Sequence, residues 1–200
     1  MTRSQLEVDG RTIALTNLEK VLYPATGTRK FDVVDYYIRM ADAMLPHLAS
    51  RPVTRKRWPA GTESAPFFEK TLPAGTPDWI AHFTIEHAER KTVYPVVRSA
   101  ADLVWLAQVA ALELHVPQWR IDLSDDVDRR TERLVLDLDP GPGVTLDQCA
   151  RVALDIRDML ADAGLSSFPV TSGSKGIHLY AGLDRTHDAE YVNAFAKQFA

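Results

Sequence analysis

The chain has 200 residues, 46% of them hydrophobic and 25% charged, with a formal net charge of -4. That composition supports one sizeable core and excludes a disordered chain. One cysteine, Cys149, excludes an internal disulfide, and no apolar run approaches the ~18 residues of a membrane span, so a soluble, cytoplasmic protein without a signal peptide is expected. The charge is uneven. Residues 51–57 hold four basic residues and no acid, whereas residues 122–128 hold four acids. A polyanion would therefore meet a local basic patch.

Residues 1–30 read as a short polar lead, an apolar Val21-Leu22-Tyr23 and a Pro24-Ala-Thr-Gly-Thr28 loop, with Lys20 and Lys30 on either side. Two lysines flanking a Gly-containing turn can hold one phosphate, although such a pair is more often plain surface. Val34, Tyr37, Ile38, Ala41, Leu45 and Leu48 recur at helical spacing and predict one amphipathic helix over residues 31–48, stopped by Arg51-Pro52.

Arg51, Arg55, Lys56, Arg57 and Trp58 follow in a segment that can alternate as a strand. A surface for triphosphate or nucleic-acid backbone and a solvated basic edge fit it equally well. In a strand Phe67 and Phe68 face opposite ways, so at least one is available to the core and the other to stack on a base. Residues 71–100 are loop-rich, with short apolar segments at 80–85 and 93–97. His82, Glu86 and His87 lack zinc-protease spacing. Residues 102–115 read as a strongly apolar helix, which puts His115 at a helix C-terminus, where a favourable dipole is its default role.

A charged connection over residues 119–132 leads into Leu134-Val-Leu-Asp-Leu-Asp-Pro-Gly141, an apolar strand with two acids set at alternate positions. Period two places Leu134, Leu136 and Leu138 on one face and Val135, Asp137 and Asp139 on the other. The two acid α-carbons would lie roughly 6.5 to 7 Å apart, and the carboxylates could bridge cations about 3.5 to 4 Å apart. Buried side by side they would repel, which a cation resolves. Pro140-Gly141 ends the strand and sets the acids at its C-terminal lip. An Asp-x-Asp after an apolar run also opens haloacid-dehalogenase-like phosphatases, but these follow it with a hydroxyl residue near the start of the domain.

Thr145 and Gln148 form a capping-box pattern, and Cys149, Val152, Ala153, Ile156, Met159 and Leu160 continue a helix that Gly164 closes. Cys149 reads as a small core residue. Strands at 168–171 and 177–181 are joined by Ser172-Gly-Ser-Lys-Gly176, whose glycines, hydroxyls and Lys175 suit an anion nest without Walker A spacing. His178 and Tyr180 share a strand face, so His178 can point to the same phosphates. Val192, Phe195, Ala196 and Phe199 mark a last amphipathic helix whose end is not signalled, so the chain is expected to stop inside a longer protein.

Asp137-Leu-Asp139-Pro-Gly141, Ser172-Gly-Ser-Lys-Gly-Ile-His178, Leu112-Glu-Leu-His-Val-Pro-Gln-Trp119 and Thr54-Arg-Lys-Arg-Trp-Pro59 together closely resemble the polymerase domain of bacterial ligase D, of the archaeo-eukaryotic primase superfamily. The resemblance spans essentially the whole chain, including Val21-Leu-Tyr-Pro-Ala-Thr-Gly27 and Phe67-Phe-Glu-Lys70. It implies an α+β, primase-like catalytic domain over residues 1–200, with a mixed or antiparallel sheet flanked by helices, a small N-terminal subdomain and a missing C-terminal part.

It also implies nucleotide addition at gaps and breaks in non-homologous end joining, with a preference for ribonucleotides and manganese. Asp137 and Asp139 resemble the catalytic pair for Mn2+ or Mg2+. Ser172, Lys175, Gly176 and His178 resemble the triphosphate site, and Lys56 and His115 resemble contacts to the incoming nucleotide, His115 near the sugar hydroxyls. Lys20 and Lys30 resemble a grip on a DNA 5′-phosphate, Phe67 and Phe68 contacts to template bases. Ku and a DNA ligase are implied partners, with a nucleoid-associated location. The family's third aspartate lies on a later strand that this chain does not reach. A non-catalytic module bridging 5′-phosphorylated ends is the rival from another class, and an aspartyl-phosphate phosphatase is another.

Overall fold

The computed structural model describes residues 3–88, 90–121, 130–173 and 175–199. The acid-rich residues 122–128, Ser174 and Ala200 lie outside the described residues. The chain forms two compact units, Met1–Pro117 and Gln118–Ala200. Both mix helices with antiparallel strands, in keeping with the α+β class.

The first unit opens with β1 (Arg3–Val8) and β2 (Arg11–Thr16), where the sequence reads only as a polar lead. Their turn is Asp9-Gly10, with φ of 50° and 69°, the left-handed pair that a tight hairpin requires. Ile13 and Leu15 alternate into the core. β3 (Val21–Tyr23) and β4 (Thr28–Arg29) lead into α1 (Lys30–Arg39) and α2 (Ala41–Leu48). The single helix predicted over 31–48 is thus two, broken at Met40, whose φ of -95° and ψ of 4° leave the α-helical region. Val33, Val34, Tyr37, Ala41 and Leu48 supply the buried stripe.

β5 (Thr54–Arg57), β6 (Phe67–Glu69), β7 (His82–Glu86) and β8 (Lys91–Pro95) precede α3 (Ala100–Gln108) and β9 (Ala111–His115). Ser99 caps α3: its Oγ accepts from the Asp102 amide, while Asp102 accepts from the Ser99 amide. α3 is buried on nearly every side and packs on α1. The helix predicted to reach His115 ends seven residues earlier. Ala110 takes φ 55°, a left-handed turn that ends helix continuity, and residues 111–115 then alternate as the edge strand of a sheet ordered β6-β5-β9. His115 therefore lies on a strand and has no helix dipole to answer.

In the second unit, β10 (Arg133–Leu138) pairs with β12 (Ile177–Gly182), which pairs with β11 (Ser167–Thr171); α4 (Leu146–Asp162) and α5 (Ala189–Ala196) complete it. Leu134, Ile177, Leu179 and Ala181 pack with Cys149, Ala153, Ile156 and Leu160 of α4, so one sheet face is core and the other is free for polar work. The Thr145–Gln148 capping box forms, and Gly164 closes the turn after α4 at φ 80°. Pro169 is tolerated because β11 is an edge strand. Among the described residues no helix is long and apolar enough to cross a membrane.

Candidate functional site

β10 delivers its two acids as its alternation requires. Leu134, Leu136 and Leu138 join the core, while Asp137 and Asp139 are exposed, Asp137 with 62% of its side chain accessible. Strand end and Pro-Gly turn carry the acids out to solvent at the lip, where water offsets the repulsion that burial side by side would impose. Asp137 sits opposite His178 in the register, with His178 Nε2 at 3.2 Å from Asp137 Oδ1. Tyr180 Oη lies 3.4 Å from the other imidazole nitrogen, so His178 stands between a phenol and a carboxylate.

The 172–176 loop folds back on the same strand end. The Ser172 amide donates to Gly176 O and the Gly176 amide donates to Ser172 Oγ, each at 3.0 Å, so the Gly176 amide is turned into the loop, not outward to an anion. Gly173 takes φ 78°. A Cβ on Gly176 would stand 2.6 Å from Leu138 O and 2.8 Å from Asp139 Oδ1, so only glycine lets the loop backbone approach the acids this closely. Lys175 is exposed and its Nζ donates to Pro140 O at 3.3 Å. Asp137, Asp139, Ser172, Lys175, Gly176 and His178 are thus brought together at one end of this sheet.

Lys56 and His115 belong to the first unit. Lys56 is opposite Phe68 on one side and Glu113 on the other. Its ammonium donates to both Glu113 oxygens at 3.0 and 3.2 Å, and His115 Nε2 donates to Glu113 Oε2 at 2.9 Å. Burial pushes the Glu113 carboxyl up, but the bonds from Lys56 and His115 outweigh it and hold the group below the usual carboxylate range. The Phe68 ring meets the His115 ring edge-on at 5.4 Å, and Lys56 Nζ lies 4.9 Å from the Trp58 ring centroid.

The opposite side of β5 corrects the idea of a solvated basic edge. β5 is the central strand, and Arg55 is fully buried. Arg55 Nη2 donates to Thr71 O, its Nε to Glu69 O at 3.4 Å, and its guanidinium stacks toward Trp105 at 5.5 Å. Desolvation lowers its pKa to about 10 despite Glu69 at 3.3 Å. Arg57 also holds Glu69, at 2.8 Å, and lies under Phe67 at 5.3 Å. Arg51 too is fully buried and donates to Pro117 O. Phe67 and Phe68 face opposite sides as predicted, yet neither is core: they are 45% and 60% exposed because β6 is a three-residue edge strand.

Lys20 and Lys30 are joined through the backbone, the Lys30 amide donating to Lys20 O at 2.8 Å. Lys20 is exposed, but Lys30 is buried and its Nζ donates to Gln108 O at 3.0 Å. Desolvation, with Lys20 and Arg57 nearby, lowers the Lys30 pKa. A buried ammonium crowded by two cations favours an anion at its surface.

Comparison with known proteins decides the family. The family described as "LigD, primase-polymerase domain" matches residues 29–200. The chain belongs to this family. It is 50% identical over 192 residues to the multifunctional non-homologous end joining DNA repair protein LigD of Mycobacterium tuberculosis, covering 94% of this chain and 25% of the relative. It is 33% identical over 171 residues to the bifunctional non-homologous end joining protein LigD of Bacillus subtilis, covering 86% of this chain and 26% of the relative. A solved structure titled as the polymerase domain from Mycobacterium tuberculosis ligase D in complex with DNA superposes with a TM-score of 0.87 at 50% identity, over 94% of this chain and 67% of that one.

The chain spans about a quarter of the length of these LigD relatives. Among its described residues no group of three or more His, Cys, Asp or Glu is assembled as a metal site. The donor set at β10 nonetheless fits a hard divalent cation: two exposed carboxylates, oxygen donors only, with the Gly176 backbone closed against Asp139. In this LigD-family chain, sequence reasoning missed Glu113 and Glu69, the carboxylates that organise Lys56, His115, Arg55 and Arg57. The alternation Leu112, Glu113, Leu114, His115 was the available signal for Glu113.

Proposed function

We propose that this chain is the nucleotidyltransferase part of a LigD-type end-joining protein, adding nucleotides, with ribonucleotides preferred, to DNA 3′ ends at gaps and double-strand breaks. The single observation that carries the proposal is the convergence of Asp137, Asp139, His178 and the 172–176 loop at one sheet end, in a chain of the LigD primase-polymerase family. Asp137 and Asp139 would hold Mn2+ or Mg2+, which when bound lowers the pKa of a 3′-hydroxyl and offsets charge on the triphosphate.

The chain's own groups do the positioning. Lys175 and the Ser172 hydroxyl offer charge and hydrogen bonds to phosphate oxygens, and His178 stands beside Asp137 with Tyr180 behind it. Lys56 and His115 take the incoming nucleotide, and exposed Phe68 offers a ring for base stacking, with Phe67 available to the template strand. Lys20 and Lys30 take a downstream 5′-phosphate, which orients DNA without reading its sequence. The solved structure of the ligase D polymerase domain in complex with DNA supports DNA as the partner. Ku and a ligase are proposed partners by family, and a nucleoid-associated location follows from the substrate.

The test is incorporation of a ribonucleotide into a short gap bearing a downstream 5′-phosphate, with Mn2+ present, in the parent chain and in the Asp137→Ala, Asp139→Ala double variant. Incorporation in the parent, reduced about a thousandfold or more in the variant, is the expected result. Undiminished incorporation in the variant would overturn the assignment of these acids. Gap binding without incorporation in either protein would favour a bridging module.

A further inference from the structure

The sheet face that carries Lys56 presents four chemistries in one patch. Phe68 is a 60% exposed ring, Lys56 an ammonium, His115 an imidazole, and Glu113 a carboxylate with 44% of its side chain accessible. Ring, ammonium and imidazole all suit a nucleoside triphosphate. Glu113 does not suit its phosphates: a carboxylate bonded to an anion-binding ammonium weakens that ammonium's hold on phosphate unless the carboxylate makes bonds of its own to the ligand.

An ionised carboxylate only accepts hydrogen bonds, through about four lone-pair sites. Lys56 and His115 make three contacts to the two Glu113 oxygens, which fixes the group while leaving accepting capacity on its exposed side. What remains for it to take is a neutral donor, and the sugar hydroxyls of a nucleotide are the donors that stand between base and phosphates. A ribose presents two adjacent hydroxyls, a 2′-deoxyribose one.

We infer that Glu113 is the sugar-reading residue of this site, accepting hydrogen bonds from the vicinal 2′- and 3′-hydroxyls of a ribonucleotide and so setting the preference for ribose over deoxyribose. The inference rests on the nucleotidyltransferase proposal above. A bound deoxyribonucleotide would desolvate the carboxylate and leave part of it without a donor, the case in which a missing hydroxyl is penalised most. Lys56 and His115 then act on the sugar partly through Glu113, by holding its carboxylate in place.

The experiment compares the affinities of UTP and dUTP for the full chain by calorimetry in Mg2+ buffer, with Glu113→Ala, Glu113→Gln and Lys56→Met variants. UTP and dUTP share one base, so any base contact to the carboxylate cancels from their ratio. The parent is expected to bind UTP about tenfold more tightly than dUTP, as one charge-assisted hydrogen bond supplies. Glu113→Ala brings the ratio to within about twofold, mainly by weakening UTP, and Glu113→Gln falls between. Lys56→Met weakens both nucleotides and lowers the ratio part of the way, because His115 alone then holds the carboxylate. A parent ratio near one, or a ratio that survives Glu113→Ala while both affinities fall, overturns the inference and leaves Glu113 as a brace for its neighbours. Failure of the parent to bind either nucleotide removes the nucleotidyltransferase proposal and this inference together, an outcome distinct from binding without discrimination.

Discussion

The two units of this chain treat functional charge in opposite ways. Around β5, cations are part of the core: Arg55 is fully buried and Lys30 nearly so, each donating to backbone carbonyls that stand in for water. Around β10, the acids are carried at a strand end in solvent, beside one histidine and a glycine loop, while the opposite face alone builds the core. Charge that is buried must be compensated within the fold, so changing it changes stability. Charge at an exposed strand end can be changed with little effect on folding, and its removal registers only in binding or chemistry.

The largest effect that would break this contrast concerns Arg55. Arg55→Met removes the donor to Thr71 O and Glu69 and should destabilise the chain by about 3 kcal/mol or more, read as a lower urea midpoint. Asp137→Asn should leave that midpoint where it is. Equal shifts for the two variants would mean that the acids are as much a part of the fold as the arginines.

Next in size is Gly176→Ala. Its Cβ would meet Leu138 O and Asp139 Oδ1 at 2.6 and 2.8 Å, forcing the loop away from the acids, and triphosphate affinity should fall about tenfold. Gly182→Ala, with nothing within 4 Å, is the control expected to bind normally. Equal affinities for the two would show that the close approach at Gly176 has no bearing on ligand binding.

The smallest effect is electrostatic. Lys30 has its pKa lowered by burial, so the cost of carrying its charge in the fold is fully present below the lowered pKa and is relieved as pH rises through the ordinary lysine value. Stability should therefore rise with pH in that alkaline window. Affinity for a 5′-phosphorylated DNA end should move the other way, weakening as Lys30 loses its proton at lower pH than a free lysine would. Lys30→Met should flatten both slopes when unfolding and end binding are titrated against pH, and slopes that persist in the variant would assign them to another group.

What the sequence discloses depends on whether its signals are local. The acids of β10, the Thr145–Gln148 cap and the Gly164 stop are written in patterns a few residues long, and the structure keeps them. Asp9-Gly10 is just as local a hairpin signal, but the polar strands beside it disguised it. The strand at His115 was hidden because residues 100–114 are apolar enough to continue a helix; only the left-handed turn at Ala110 separates them, and alanine gives no warning of it. Burial of Arg51 and Arg55 depends on carbonyls of Pro117 and Thr71, 66 and 16 residues away, which no short window contains. Of the candidate site, the residue types were legible, while Glu113 emerged only once β5 had been paired with β9, which sets it opposite Lys56.

The opposed destinations of neighbouring side chains on β5 also make this strand a registration mark during folding. Slipping β5 by one residue against β9 would turn Lys56 toward Trp105 and release Arg55 to water, stranding the carbonyl of Thr71 and pulling Glu113 from its partner. No halfway arrangement satisfies either face. A newly made chain that pairs these strands wrongly gains nothing by staying so, and the sheet proofreads its own alignment before any ligand arrives.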